Sequence, residues 1–266
     1  MSINSGPVGL NSTLINSIGG LQQDISTGSR INQAKDDPAG IQVTIEFSSQ
    51  IRGNNVAMRN SNDGISALQV AEGSLNNVTD SLQRIRELTV QAGNGTLSNT
   101  DRSALQNEAD QLLEGIRDSI GNSEFNGKSL LKNDEGVNIQ TGAGAGEQQN
   151  IRTMDFAAEL EDLDLFNLDL TNPDTSAAFE SLDGALSLAG ELRSEFGASQ
   201  NRLEYSMDSL MSENLNETAA RSRISDTDMA KAISELYQNQ VKQQAEIAML
   251  GQANSSRGHV LSLLNT

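Results

Sequence analysis

Apolar side chains recur along most of this chain at intervals of three and four residues, the period of one face of an α-helix. Leu14, Ile18, Leu21 and Ile25 step by 4, 3 and 4, which predicts a short helix with a two-heptad stripe. Gly28 suits its C-terminal stop, and residues 28–40 read as a linker. A much longer stripe runs from about Ile41 to Gln91 and is clearest at Ile65, Leu68, Leu75, Val78, Leu82, Ile85 and Leu88. Fifty helical residues extend roughly 75 Å, more than a globular domain needs. Ala92-Gly93-Asn94-Gly95 breaks this helix, and Ser98 or Thr100 can cap a second one that carries Leu105, Ala109, Leu112, Ile116 and Ile120.

From Gly121 to about Asp155 the pattern changes. Gly and Asn become frequent, and Val137-Asn138-Ile139-Gln140 alternates as a strand does. Gly142–Gly146 reads as a flexible turn before a second short strand near Ile151–Met154, so this region should hold one or two small β-hairpins. Residues 155–172 are acidic and Leu-rich and read as a loop laid on the surface. Helix resumes after Pro173 and is expected to run to about Asn214, with Phe179, Leu182, Leu186, Ala189, Phe196, Leu203, Met207 and Leu210 on its stripe. The last segment, Asp226–Leu264, carries Met229, Ile233, Leu236, Val241, Ile247, Leu250, Val260, Leu261 and Leu264.

Pro7, Pro38 and Pro173 punctuate these stretches, since each forbids a helix interior. The plan is symmetrical: short helix, long helix, middle insert, long helix, terminal helix. The short stripes at the two ends are too narrow to be stable alone and are expected to pair with each other. The fold class is therefore mainly α, an elongated long-helix coiled-coil bundle with a small β-hairpin region and paired N- and C-terminal helices. A monomeric four-helix bundle does not need helices of this length.

Composition narrows the reading. Aromatic residues are 3% of the 266 and Trp and Cys are absent, so a round core filled by large rings is excluded in favour of a narrow aliphatic seam. The net charge of −18 argues against a nucleic-acid partner. Its distribution is uneven: residues 101–195 hold 20 acids against 6 bases, whereas 1–100 and 196–266 each hold 8 against 6. Nearly neutral ends can crowd together in many copies; an acidic middle stays in solvent. The N-terminus shows no basic segment followed by an apolar one, so no cleavable signal is expected. No run approaches 18 apolar residues, and no membrane span is expected.

Chemistry is hard to find. Asn126-Gly127-Lys128-Ser129 resembles the end of a phosphate-binding loop, but the nearest upstream glycine, Gly121, leaves that loop one residue too long. Glu147 stands where a dinucleotide fingerprint beginning in Gly142–Gly146 needs glycine. His259 is the only histidine, so it cannot form a histidine metal pair, and neither a serine triad nor a histidine-based metal site can be built around it without other donors. The carboxylate clusters Asp36-Asp37, Asp134-Glu135 and Glu161-Asp162-Asp164 lack an aromatic-lined cleft and read as solvated faces or loose divalent cation sites. No catalytic, metal or cofactor residue is assigned, and no enzyme activity is expected.

Several segments resemble one family closely. Ser26-Thr27-Gly28-Ser29-Arg30 followed by Ile31-Asn32-Gln33-Ala34-Lys35-Asp36-Asp37-Pro38-Ala39-Gly40 is similar to the signature after the first helix of bacterial flagellins. Gln83–Gln91, Phe125-Asn126-Gly127, Gly197–Leu203, Ser222-Arg223-Ile224 with Asp226 and Asp228, Gln252-Ala253-Asn254 and Val260–Leu264 complete the set in the family's order. The chain departs from the family in lacking its usual Gln-Arg-Asn-Leu stretch in the first 25 residues and in carrying Pro38 where an Ala is common.

The resemblance implies a subunit that polymerises into the flagellar filament, secreted and extracellular, exported through a flagellum-specific type III channel. The alternative it leaves is a hook–filament junction protein. It implies a homopolymer, with the flagellar cap, junction proteins and an export chaperone as further partners, and neither nucleic acid nor membrane. By the same resemblance, residues 1–40 and 221–266 form an inner domain, D0, while 41–175 and 176–220 form D1. The interval of about 140–175 is too short for outer domains. Leu14, Ile18, Leu21 and Ile25 would bury against Ile247, Leu250, Val260, Leu261 and Leu264 to build the inner tube, from ends largely disordered before assembly. Arg84, Leu88, Gln91 and Glu108 occupy the positions by which some flagellins meet mammalian Toll-like receptor 5. Their first role is expected to be contact with the neighbouring subunit.

Overall fold

The computed structural model describes the backbone of residues 12–264 and the side chains of 12–260. Its elements are α1 (Ser12–Thr27), α2 (Pro38–Ala92), α3 (Asn99–Gly121), β1 (Glu124–Phe125), β2 (Lys128–Ser129), β3 (Val137–Gln140), β4 (Gln148–Ile151), α4 (Phe156–Asp162), α5 (Ser176–Ser225) and α6 (Met229–Leu264). The class is mainly α with two antiparallel strand pairs, β1–β2 and β3–β4. The chain divides into two compact units, residues 50–214 and residues 1–49 with 215–266.

In the first unit one apolar core is shared by α2, α3 and α5. It takes Leu68, Leu75, Val78, Leu82, Ile85 and Leu88 from α2, Leu105, Ala109, Leu113, Ile116 and Ile120 from α3, and Leu182, Ala185, Ala189, Leu192, Phe196 and Leu203 from α5. Cross-links fix the directions. Asn55, Glu72 and Arg86 of α2 meet Asn214, Gln200 and Asp183 of α5, so partners fall as α2 rises and the two helices are antiparallel. On α3 the buried residue is Leu113, not the expected Leu112, which is only half-buried. Both choices fit a 3–4 spacing, and packing selects between them.

Local chemistry sets the helix ends. Ser98 accepts from the Asp101 amide while the Asp101 carboxylate accepts from the Ser98 amide, a reciprocal capping box that starts α3. Those hydrogen bonds, the one from the Ser98 hydroxyl above all, hold the Asp101 carboxyl below its ordinary value. At the start of α2, Asp37 accepts from the Gly40 amide and Pro38 takes the first helical position, where its missing N–H costs nothing. Arg102 is 4% exposed. Its guanidinium closes the other end of α2, donating to the carbonyls of Ala92 and Asn94.

The middle insert differs from expectation in two places. Strand β4 lies at Gln148–Ile151, three residues before the predicted Ile151–Met154, with Val137 opposite Ile151 and Gln140 opposite Gln148. Three of its four residues are polar, so hydrophobicity alone pointed too far along. The turn between the strands closes on Glu147, whose carboxylate accepts from the Gly144 amide. A Cβ at Gly142 would stand 2.0 Å from that carboxylate, so a larger residue there would displace the Glu147 side chain that closes the turn. In the β1–β2 hairpin Asn126 and Gly127 both have positive φ, 52° and 75°, as a two-residue type I′ turn requires.

Residues 155–172 are not a surface loop. They form α4 and a 3-10 turn at Leu165–Asn167. Leu160, Leu165, Leu168 and Leu170 are buried in the shared core. Gln106 of α3 holds the extended end of this stretch as a strand would, donating to the Leu168 carbonyl at 2.8 Å and accepting from the Leu170 amide at 2.6 Å. Helix α5 also continues past the predicted Asn214 to Ser225.

Candidate assembly surfaces

In the unit of residues 12–49 and 215–264, the two connections between helices are strapped together. The Arg30 amide donates to the Ser225 carbonyl at 2.6 Å and the Thr227 amide to the Gly28 carbonyl at 2.9 Å, around a Ser29–Asp226 bridge. The Arg30 guanidinium donates to the Ile224 carbonyl at 2.7 Å, and the Ser29 hydroxyl to that of Ser225 at 2.9 Å. These are orphan carbonyls at the C-terminal end of α5, where a cation is favoured. Asp36 accepts from the Asn32 and Gln33 amides. Asp228 accepts from the Lys231 amide and so caps α6. The two motifs Ser26–Gly40 and Ser222–Asp228, far apart in sequence, are two halves of one strap. Their carboxylates shape turns and caps, and no group of three or more potential metal-ligating side chains occurs among the described residues.

Because α1 ends at the strap and α6 begins there, the two helices run antiparallel, packed with Cα–Cα separations of 8 Å or less. No residue of α1 is buried, and Leu14, Ile18, Leu21 and Ile25 are each half-buried. On α6 the covered positions include Ala232, Leu236, Asn239, Gln243, Glu246 and Leu250, a 3–4 row that the sequence reading missed because half of it is polar. Of the tube residues assigned on α6, Leu250 lies on this row. Ile247 and Val260 stand 52% and 56% exposed, and the side chains of Leu261 and Leu264 lie outside the described residues. Helix α1 is 16 residues long and spans the first part of the 36-residue α6, so it does not lie opposite the whole Ile247–Leu264 segment.

The other predicted face lies on α2 and α3. Arg84, Gln91 and Glu108 are exposed, and Arg84 donates to Glu108 at 2.7 Å and Glu87 at 2.8 Å. The Glu108 hydrogen bond, followed by that to Glu87, raises the Arg84 pKa above its ordinary value. Leu88 does not share this face: it is 1% exposed and belongs to the core. A step of 4 from Arg84 turns the helix by about 40°, enough here to pass from rim to core. Arg86 pairs with Asp183 at 3.0 Å, so the Gln83–Gln91 motif alternates core residues with charges that bridge α2 to both of its neighbours. No helix among the described residues is long and apolar enough to cross a membrane.

Residues 12–135 match the bacterial flagellin N-terminal helical region and residues 179–264 the bacterial flagellin C-terminal helical region. A flagellin of Bacillus subtilis is 38% identical over 91% of both chains. A flagellin of Halalkalibacterium halodurans is 41% identical over 91% of this chain and 90% of its own. The crystal structure of Bacillus cereus flagellin superimposes with a TM-score of 0.50 at 28% identity, covering 61% of this chain and 94% of that one. With both end regions matched and no outer domain between them, this chain belongs to the bacterial flagellin family as a short form.

Proposed function

We propose that this chain is the structural subunit that polymerises into the bacterial flagellar filament. The observation that carries the reading is the α1–α6 pair, two family-matched end helices that associate yet leave their apolar rows open. Ile15, Ile247 and Val260 stand 45%, 52% and 56% exposed in the isolated chain. Each aliphatic side chain fully buried by a neighbour contributes roughly 1.5–3 kcal/mol, so only many copies together complete this packing. The residues assigned to the inner tube, Leu14, Ile18, Leu21, Ile25, Ile247, Leu250, Val260, Leu261 and Leu264, act in this way. The pair becomes fully ordered with assembly, because half-buried helices alone cannot offset the entropy of fixing them. The division of the chain at residues 49 and 215 supports D0 and D1 as its working domains, with boundaries near those read from sequence.

Growth is heterologous and open-ended, each copy using different faces toward successive neighbours. Export through the flagellar type III channel, contact with cap, junction proteins and chaperone, and an extracellular filament follow from membership of the family. The Arg84, Gln91 and Glu108 face serves neighbour contact first, with Leu88 as packing beneath it; Toll-like receptor 5 reads the face second. Match to flagellins through nine-tenths of both chains supports the filament over the hook–filament junction. Electron microscopy of the purified chain after ammonium sulfate or short filament seeds tests the reading. Long tubes are expected, and a chain that stays monomeric under both conditions contradicts it.

A further inference from the structure

We infer that α5 of one copy docks into a groove beside α2 of the next, an interface that rests on the polymerisation proposed above. The groove lies in the unit of residues 50–214, between α2 and the β3–β4 turn, and is lined by Gly53, Val56, Ala57, Ala143 and Ala145. The missing side chain at Gly53 lets the turn approach α2 there: a Cβ would stand 2.6 Å from that of Ala143. Within the chain the neighbouring positions of α2 are occupied. Asn60 donates to the Gln140 carbonyl of the turn, and Asn55 meets Asn214 of α5. Arg52, Val56 and Arg59 step by 4 and 3, so they form the remaining outward face. Val56 is 45% exposed at its centre.

Basic groups are scarce in a chain of net charge −18, and several arginines are already paired internally: Arg30, Arg84, Arg86, Arg152 and Arg193. Arg52 and Arg59 have no ion-pair partner within 4.0 Å among the described residues, and flank the apolar groove on the same helix. The complementary surface is on α5 in the same unit. Glu204, Asp208 and Met211 also step by 4 and 3, with Tyr205 beside them. Tyr205 and Met211 are 75% and 69% exposed, large apolar groups left in water beside two carboxylates. One surface is a small-residue groove with a basic rim; the other is a pair of bulky side chains with an acidic rim. Charge and shape fit, and since groove and knob are different surfaces of one chain, the contact is heterologous, the kind an open-ended filament needs.

Two measurements test the docking, both with the full chain and with unsubstituted protein as the control that polymerisation itself occurs. If the unsubstituted chain fails to polymerise, the filament reading fails before the interface is addressed. The pairs Arg52→Glu/Arg59→Glu and Glu204→Arg/Asp208→Arg are each expected to raise the critical concentration about tenfold, as like charges meet across the contact. The four changes combined should restore it. Reversal without effect, or a combined variant no better than either pair, overturns the interface. The second measurement is independent of charge. Because the chain has no cysteine, Val56→Cys with Met211→Cys should give a ladder of disulfide-linked oligomers when filaments are oxidised with copper phenanthroline, and none from monomer. Filaments that give no ladder also overturn it.

Discussion

Single side chains in this protein do work that composition disguises. Its carboxylates looked like solvent-facing charge, yet Asp36, Asp37, Asp101 and Asp228 each accept backbone N–H groups at a turn or helix start. The capping box at Ser98 was legible because its spacing is a local rule. The burial of Leu88 was not, since it depends on where α3 and α5 lie around α2. Ser98→Ala removes the box and should destabilise residues 50–214 by about 1 kcal/mol, read as a shift of the urea midpoint with an unchanged slope. The pH dependence carries its own sign. Asp101 is held below its ordinary value of 3.8, so its contribution is complete above that pH and is lost as pH falls through the lowered folded value. Asp101→Asn should therefore lower stability at neutral and alkaline pH and change little in strong acid, so that the acid limb of the stability curve flattens.

At the scale of elements, long helices announced themselves by period and short ones did not. The stripes of α2 and α5 were read nearly complete because dozens of residues obey one spacing. Residues 155–172 were read as a loop because Leu160, Leu165, Leu168 and Leu170 have no common period: a short helix, a 3-10 turn and an extended stretch each aim one or two of them inward. The strap was invisible for another reason, since its two halves lie far apart in the chain, as the Ser29–Ser225 bond shows by its sequence separation of 196. Arg30→Ala should open it. Hydrogen bonds to a charged donor contribute up to about 1.5–3 kcal/mol, and a partly exposed arginine falls at or below the lower end. Amide exchange is expected to speed up at residues 28–31 and 224–228 and to stay unchanged in α3. Equal acceleration throughout, or none at the strap, contradicts the assignment.

For the whole molecule, the distribution of burial is the functional statement. Residues 50–214 own a closed core with side chains as large as Phe156 and Phe196 fully covered. In the end helices only Ala232 of α6 is buried among the described side chains, and from Gly251 to Val260 every one is exposed. On the proposed reading, the middle folds by itself and the ends finish folding on neighbouring copies. Removing residues 247–266 and comparing the truncated and full chains by electron microscopy and far-UV circular dichroism tests this most directly. The truncated chain should keep the helical signal of its middle and form no filaments under conditions that polymerise the full chain. Filaments of normal length from the truncated chain would contradict the account.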